Sequence, residues 1–163
     1  MRLVLYQPEI PPNTGNVARL CAALRTPLSL IEPLGFKIDD KHLKRAGLDY
    51  WPLVDLSVHA HWAAFEEAVS TTVPPTRIVL TSARAGTPVH QFAFQPGDAI
   101  VLGQETKGLP EFLLERYPDH VRIPIACAGV RSLNMSTAAG ILLFEALRQT
   151  DGLAGGLAGD LDD

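Results

Sequence analysis

At 163 residues, with 47% hydrophobic and 20% charged side chains, the chain has the size and composition of one globular domain, read as residues 1–150 followed by a flexible tail, 151–163. The net charge of −4 looks wrong for a nucleic-acid binder, but the tail holds four of the 18 acids and no base, which leaves 14 acids against 14 bases in the body. No run of 18 apolar residues is present to cross a membrane, and a strand-like run starts at once (RLVLY) without a signal-peptide core, so a cytoplasmic protein with no membrane partner is expected.

Strand-like and helical runs alternate along the chain. LVLY (3–6) precedes a helix beginning near Asn13, and LSLIE (28–32) precedes a short helix around 39–46. A weak strand near 53–56 precedes HWAAFEEAV (61–69), and RIVLT (77–81) is followed by a turn-rich region. DAIVLG (98–103) leads to PEFLLERY (110–117), and HVRIPI (120–125) leads to a last helix over about 134–149. The apolar runs are short and barely alternate, the pattern of strands covered on both faces. The fold class is therefore α/β, a mostly parallel sheet with helices on both sides. Cys21 and Cys127 are far apart and form no CxxC, so two buried, reduced thiols are expected rather than a disulfide.

The first helix has Asn13 or Thr14 as its cap and Val17, Leu20, Cys21 and Leu24 as its core face. At about 100° per residue, Arg19 lies roughly 160° from the middle of that face and points outward. The last helix carries Met135, Ala138, Ala139 and Leu142 on one face and Ile141 and Phe144 on another, so it needs two partners, of which one could be a second subunit.

Several common sites are excluded. No GxGxxG follows the first strand, and GQETKG (103–108) continues with Leu109 where a phosphate loop needs Lys and Ser/Thr. There is no GxSxG elbow. His59 and His61 lack a further nearby ligand, so no metal is expected. Three segments remain, each following a strand: PEIPPNTGNVAR (8–19), LGQETKGLP (102–110) and IPIACAGVRSLNMS (123–136). Loops rich in hydrogen-bonding groups at strand ends are where open α/β sheets bind ligands. A separate basic cluster, Lys37, Lys41, Lys44 and Arg45, is diluted by Asp39 and Asp40.

The three segments resemble the motifs of the SPOUT superfamily of S-adenosylmethionine-dependent RNA methyltransferases. Asn13, Gly15, Asn16 and Arg19 match the first; Gly103, Glu105, Gly108, Leu109 and Pro110 the second; Ile123, Pro124, Ser132, Leu133, Asn134 and Ser136 the third. The match covers almost the whole chain to about residue 149. LYQPEIPPNTGN and IEPLGFKIDDKHLKRAGLDYW look most like members that 2′-O-methylate the ribose at wobble position 34 of leucine tRNAs.

The resemblance implies a C-terminal deep trefoil knot, a homodimer and a tRNA substrate. It implies S-adenosyl-L-methionine as cofactor, S-adenosyl-L-homocysteine as product, and no metal. Carried over by position, Leu80, Gly103, Ile123 and Ser132 bind the cofactor, Asn13, Gly15, Glu105, Gly108 and Asn134 organise the loops, and Arg19 is catalytic. Lys41, Lys44, Arg45 and Arg131 are the candidate RNA contacts. TSARAGTP is a residue longer than the family pattern after the fourth strand, and Phe144 stands where some relatives carry Tyr. Two other functions fit the same motifs: methylation of another tRNA or rRNA position, and a non-catalytic module that binds S-adenosylmethionine or RNA.

Overall fold

The computed structural model describes residues 1–37 and 51–153. Its strands are β1 (Arg2–Tyr6), β2 (Leu28–Ile31), β3 (Leu56–His59), β4 (Ile78–Thr81), β5 (Thr87–Pro88), β6 (Ala99–Leu102) and β7 (His120–Arg122). Its helices are α1 (Pro11–Ala23), α2 (Trp62–Ser70), α3 (Glu111–Arg116) and α4 (Met135–Gln149). The strands form one sheet in the order β3-β2-β1-β6-β4-β7-β5, and every pairing is parallel.

Both faces of that sheet are covered, which is why its strands are apolar throughout rather than alternating. Leu3, Leu5, Leu28, Leu30, Val79 and Ile100 face α1 and α4, where they meet Val17, Cys21, Ala139, Leu142 and Leu143. The intervening residues Val4, Tyr6, Ile31, Leu80 and Val101 face α2 and α3, against Trp62, Phe65 and Leu113. Leu3, Leu5, Leu28 and Leu30 are fully buried, each contributing about 1.5–3 kcal/mol through the area removed from water.

The amino ends of the central strands are fastened by charge. Arg77 donates to fully buried Asp98 through Nε at 2.9 Å and Nη2 at 2.7 Å, and its Nη2 also donates to the Ala93 carbonyl at 2.9 Å. Asp98 accepts a further bond from the Gln95 amide at 2.8 Å. At the far end of α4, the Gln149 amide donates to the Phe92 carbonyl and its Oε1 accepts from the Phe94 amide. The 89–98 segment is thereby tied to the sheet on one side and to the last helix on the other.

The elements depart from expectation in places where tertiary contacts overrule local pattern. The weak strand near 53–56 is a 3-10 turn, Trp51–Leu53, and the strand is shifted to Leu56–His59. The final strand stops at Arg122, because Pro124 has no N–H for a ladder and Ile123 to Ile125 lead into the loop. The two-residue β5 sits inside the turn-rich region. The buried face of α1 is Thr14, Val17, Ala18 and Cys21, while Leu20 and Leu24 lie at its edge. Cys21 is buried, and burial pushes its thiol up to about 12, but Cys127 is exposed, so only one of the two expected buried thiols is buried. The short helix around 39–46, with Lys41, Lys44 and Arg45, and the tail beyond residue 153 lie outside the described residues. Among those described, no helix is long and apolar enough to cross a membrane.

Candidate active site

The carboxyl ends of β1, β6 and β7 open into the three motif segments. β6 pairs with both β1 and β4, and β4 pairs with β7, so the loops emerge side by side although the first is far from the other two in sequence.

A chain of three side chains joins them. Glu105 Oε1 accepts from Asn13 Nδ2 at 3.1 Å. Asn13 Oδ1 in turn accepts from Asn134 Nδ2 at 2.9 Å. Asn134 Oδ1 accepts from the backbone N–H groups of Ser136 at 2.8 Å and Thr137 at 3.4 Å, and from Ser136 Oγ at 2.7 Å, which caps α4. Asn13 is only 6% exposed, and both ends of its amide are used. A single residue therefore joins the start of α1 to the 103–109 loop and to the start of α4.

Asn13 is not the cap of α1, contrary to the sequence expectation. The helix starts two residues earlier, at Pro11, with Ile10 as its cap and no capping bond from that residue's side chain. Pro11 and Pro12 lack N–H groups, so two of the four orphan donors of a helix start do not exist here. The Asn13 and Thr14 amides bond back to the Ile10 carbonyl at 3.1 and 3.3 Å. The amides of Glu9 and Ile10, just ahead of the helix, donate to the Glu105 carboxylate at 2.8 and 3.2 Å. An anion at a helix N-terminus is favoured by the macrodipole, so Glu105 takes the place a local cap would have had.

The second loop returns the bond. Glu9 accepts from the Thr106 amide at 2.9 Å and from Thr106 Oγ1 at 2.8 Å. The loop itself closes through paired bonds between Gln104 and Gly108 at 3.1 and 2.8 Å. Its two glycines have separate reasons. A Cβ at Gly103 would lie 2.2 Å from the Gly108 carbonyl carbon, and Gly108 has φ +72°, a conformation other residues rarely adopt. Gln104 Nε2 also donates to Gln7 Oε1 at 3.1 Å, and Gln7 holds φ +48° at the end of β1. Gly15 is buried inside α1.

Glu9, Thr106, Gln7 and Gln104 were not singled out from the sequence. The signal available was PEIPP: an acid just before a pair of prolines whose helix needs an anion from elsewhere.

The remaining candidates fall around this junction. Arg19 is exposed on α1, six residues past Asn13, with Asn16 exposed on the same side. Leu80 is fully buried at the end of β4, Gly103 follows β6, and Ile123 follows β7. Ser132 and Arg131 are exposed in the loop after β7, whose Cys127–Val130 turn is closed by a 3.0 Å bond. The two histidines considered as metal ligands have other partners. His61 Nδ1 accepts from the Ala64 amide and caps α2; His59 Nε2 lies 3.2 Å from Ser57 Oγ. Burial, with the Arg2 charge, pushes the His59 imidazole below its ordinary value.

The profile of the SpoU rRNA Methylase family matches residues 1–144. A tRNA (cytidine(34)-2'-O)-methyltransferase of Methylovorus glucosotrophus is 47% identical over 91% of this chain and 95% of its own. One of Escherichia coli K12 is 43% identical over 91% and 93%. Among solved structures, one described as "Structural insights into the 2-OH methylation of C/U34 on tRNA" superposes with TM-score 0.85 at 49% identity, covering 91% of this chain and 94% of that one. The SpoU methyltransferase AviRb of Streptomyces viridochromogenes, in complex with AdoMet, gives TM-score 0.81 at 25% identity over 91% and 60%.

If Glu105 acts as a shared anionic acceptor, Glu105→Gln sets an amide N–H against one of the Glu9, Ile10 and Asn13 donors. The expected cost is about 0.5–1.5 kcal/mol, the net worth of the hydrogen bond that one of these part-buried or exposed donors loses. Urea denaturation of the ligand-free protein measures it, and an unchanged midpoint would contradict the role.

Proposed function

The chain belongs to the SpoU rRNA methylase family, and on that premise we propose that it methylates the ribose 2′-hydroxyl of nucleotide 34, the wobble position, of tRNA, with leucine isoacceptors as substrates. The observation that carries this reading is the Glu105–Asn13–Asn134 junction, which draws all three motif segments to one end of the sheet.

S-Adenosyl-L-methionine is the cofactor of this reading, and the residues present suit it. Leu80, Gly103 and Ile123 lie at the carboxyl ends of three adjacent strands, and residues 126–132, Ser132 among them, are exposed beside them. His120 Nε2, next to Leu80 in strand register, is buried without a hydrogen-bond partner among the described residues. Leu80, Gly103, Ile123 and Ser132 would hold the cofactor, which supplies an activated methyl group and leaves as S-adenosyl-L-homocysteine. The chemistry calls on no metal.

Arg19 is the catalytic residue of the proposal. A guanidinium stays protonated across the physiological range, so it does not serve as the base. It stabilises the negative charge that develops on the ribose 2′-oxygen, or fixes a neighbouring phosphate, while the proton passes to phosphate or water. Asn13, Gly15, Glu105, Gly108 and Asn134 keep the loops in place. Arg131, with Lys41, Lys44 and Arg45 outside the described residues, would contact the RNA backbone.

Two architectural features belong to the same reading. A deep trefoil knot in the C-terminal third is consistent with the way Phe92 and Phe94 tie the 82–98 segment to the end of α4, and with β5 pairing β7. A homodimer is consistent with the face left open by α1 and α4. There a groove of about 600 Å³ is lined by Leu20, Leu24, Val89, Ile141 and Phe144, with Phe144 54% exposed. Glu145 stands at its rim, its carboxyl held down to about 2 by hydrogen bonds from Arg148 and Gln149.

Incubation with a panel of tRNAs and labelled S-adenosylmethionine, followed by nucleotide mapping, should place the methyl on nucleotide 34 of leucine tRNAs. Transfer to another nucleotide, or binding without transfer, would contradict the reading. Arg19→Ala should lower kcat at least 100-fold while leaving cofactor affinity within about twofold, the scale expected when a transition-state charge contact is lost; a near-wild-type kcat would exclude the role. Light scattering should give twice the 17.6 kDa chain mass, and Phe144→Glu should bring it down to one chain. A wild-type monomer would refute the dimer.

A further inference from the structure

The chain carries 18 acids among 163 residues, yet none falls in residues 82–97 or 120–144. These two stretches contain Arg84, Arg122 and Arg131. Arg77, Arg116 and Arg148 pair with carboxylates, whereas among the described residues no carboxylate pairs with Arg84, Arg122 or Arg131. Stretches that contain no acid and bear guanidiniums without a carboxylate partner attract a polyanion.

The part of this surface around Arg84 is built rather than loose. Two residues beyond Leu80, the Ser82 amide donates to the Val121 carbonyl at 3.0 Å, which carries the chain across to β7. Ser82 Oγ then accepts from the Arg84 and Ala85 amides at 3.2 and 3.1 Å, forming a hydroxyl-closed turn with exposed Arg84 at its tip. The turn ends at Gly86, with φ +105°, where a Cβ would lie 2.7 Å from the His120 backbone. Arg122 Nε donates to the Gly86 carbonyl at 3.1 Å, and Pro88 pairs with Arg122 in register. The Arg84 turn and Arg122 are therefore one unit, at the same end of the sheet as Leu80, Gly103 and Ile123.

We infer that Arg84, supported by Arg122, is a phosphate contact for the RNA substrate, gripping the phosphodiester backbone beside the nucleotide being methylated. The inference rests on the RNA methyltransferase reading above and adds a binding residue to it. An arginine suits this position because its planar fork matches phosphate oxygens, and a fixed turn limits the entropy lost on binding. Arg122 spends one donor on Gly86, which both holds the turn and brings a second positive charge alongside Arg84.

The test measures affinity for full-length leucine tRNA as a function of salt, S-adenosylmethionine affinity by calorimetry, and methylation of nucleotide 34, in wild type, Arg84→Ala, Arg84→Glu and Arg84→Lys. Arg84→Ala should weaken tRNA binding about 3- to 10-fold and Arg84→Glu more. Loss of one contact should lower the slope of log affinity against log salt by about 0.7–0.9. Cofactor affinity should stay within twofold, and Arg84→Lys, which keeps the charge but not the fork, should recover part of the binding. Unchanged tRNA affinity and slope in Arg84→Ala would overturn the inference. So would a loss of cofactor affinity in place of RNA affinity, or an Arg84→Lys variant as weak as Arg84→Ala. If the wild type itself does not methylate nucleotide 34, the functional reading fails, while the affinity and slope comparisons still decide whether Arg84 holds RNA.

Discussion

The amide of Asn13 is the point on which the site depends. It is buried and has two ends of opposite character: Nδ2 donates to Glu105 and Oδ1 accepts from Asn134. Aspartate would lose the donor and face the Glu105 carboxylate; leucine would leave both neighbours unpaired. An amide, with a donor at one end and an acceptor at the other, links an acceptor on one loop to a donor on another. Each bond is worth about 1 kcal/mol net, and because Asn13 itself is buried, leaving its own amide unpaired costs about 1–3 kcal/mol.

The parallel sheet makes that junction possible. Side-by-side strands β1, β6, β4 and β7 deliver their loops to one edge, and the two-sided core fixes their spacing. From there α1 runs back over the sheet face, and Arg19 stands about 9 Å further along its axis than Asn13, at 1.5 Å per residue. α4 leaves from the same place, capped by the residue that bonds Asn13. The helix carrying Arg19, the proposed catalytic residue, and the loop that would carry the cofactor therefore share one anchor. A change at that anchor moves both at once.

The parallel α/β class and most strands were legible in the sequence, because doubly covered strands read as short apolar runs. The site segments were legible because they follow strands and match a family's motifs, and because Gly103, Gly108 and Asn134 each meet a local demand that few residues satisfy. What was not legible depended on partners distant in sequence. Nothing near PEIPPN shows that its helix is capped from Glu105, so Asn13 read as a cap when it is a bridge. Glu9 and Thr106 look like ordinary surface residues until the two loops face each other. The strand ending at Arg122 read three residues too long because Ile123 and Ile125 are apolar, and only the proline between them hints that the ladder stops. Cys127 read as buried because an unpaired cysteine is most often a buried one, though here it lies in an exposed loop.

The most direct measurement is hydrogen–deuterium exchange of the protein with and without S-adenosyl-L-methionine. If Asn13 couples the loops, ligand binding should slow exchange in the 123–134 loop and at Ser136 and Thr137, and also at the amides of Glu9 and Ile10, which donate to Glu105 across the junction. Protection confined to residues 80–86, 103–108 and 123–134, with Glu9 and Ile10 unchanged, would contradict the coupling.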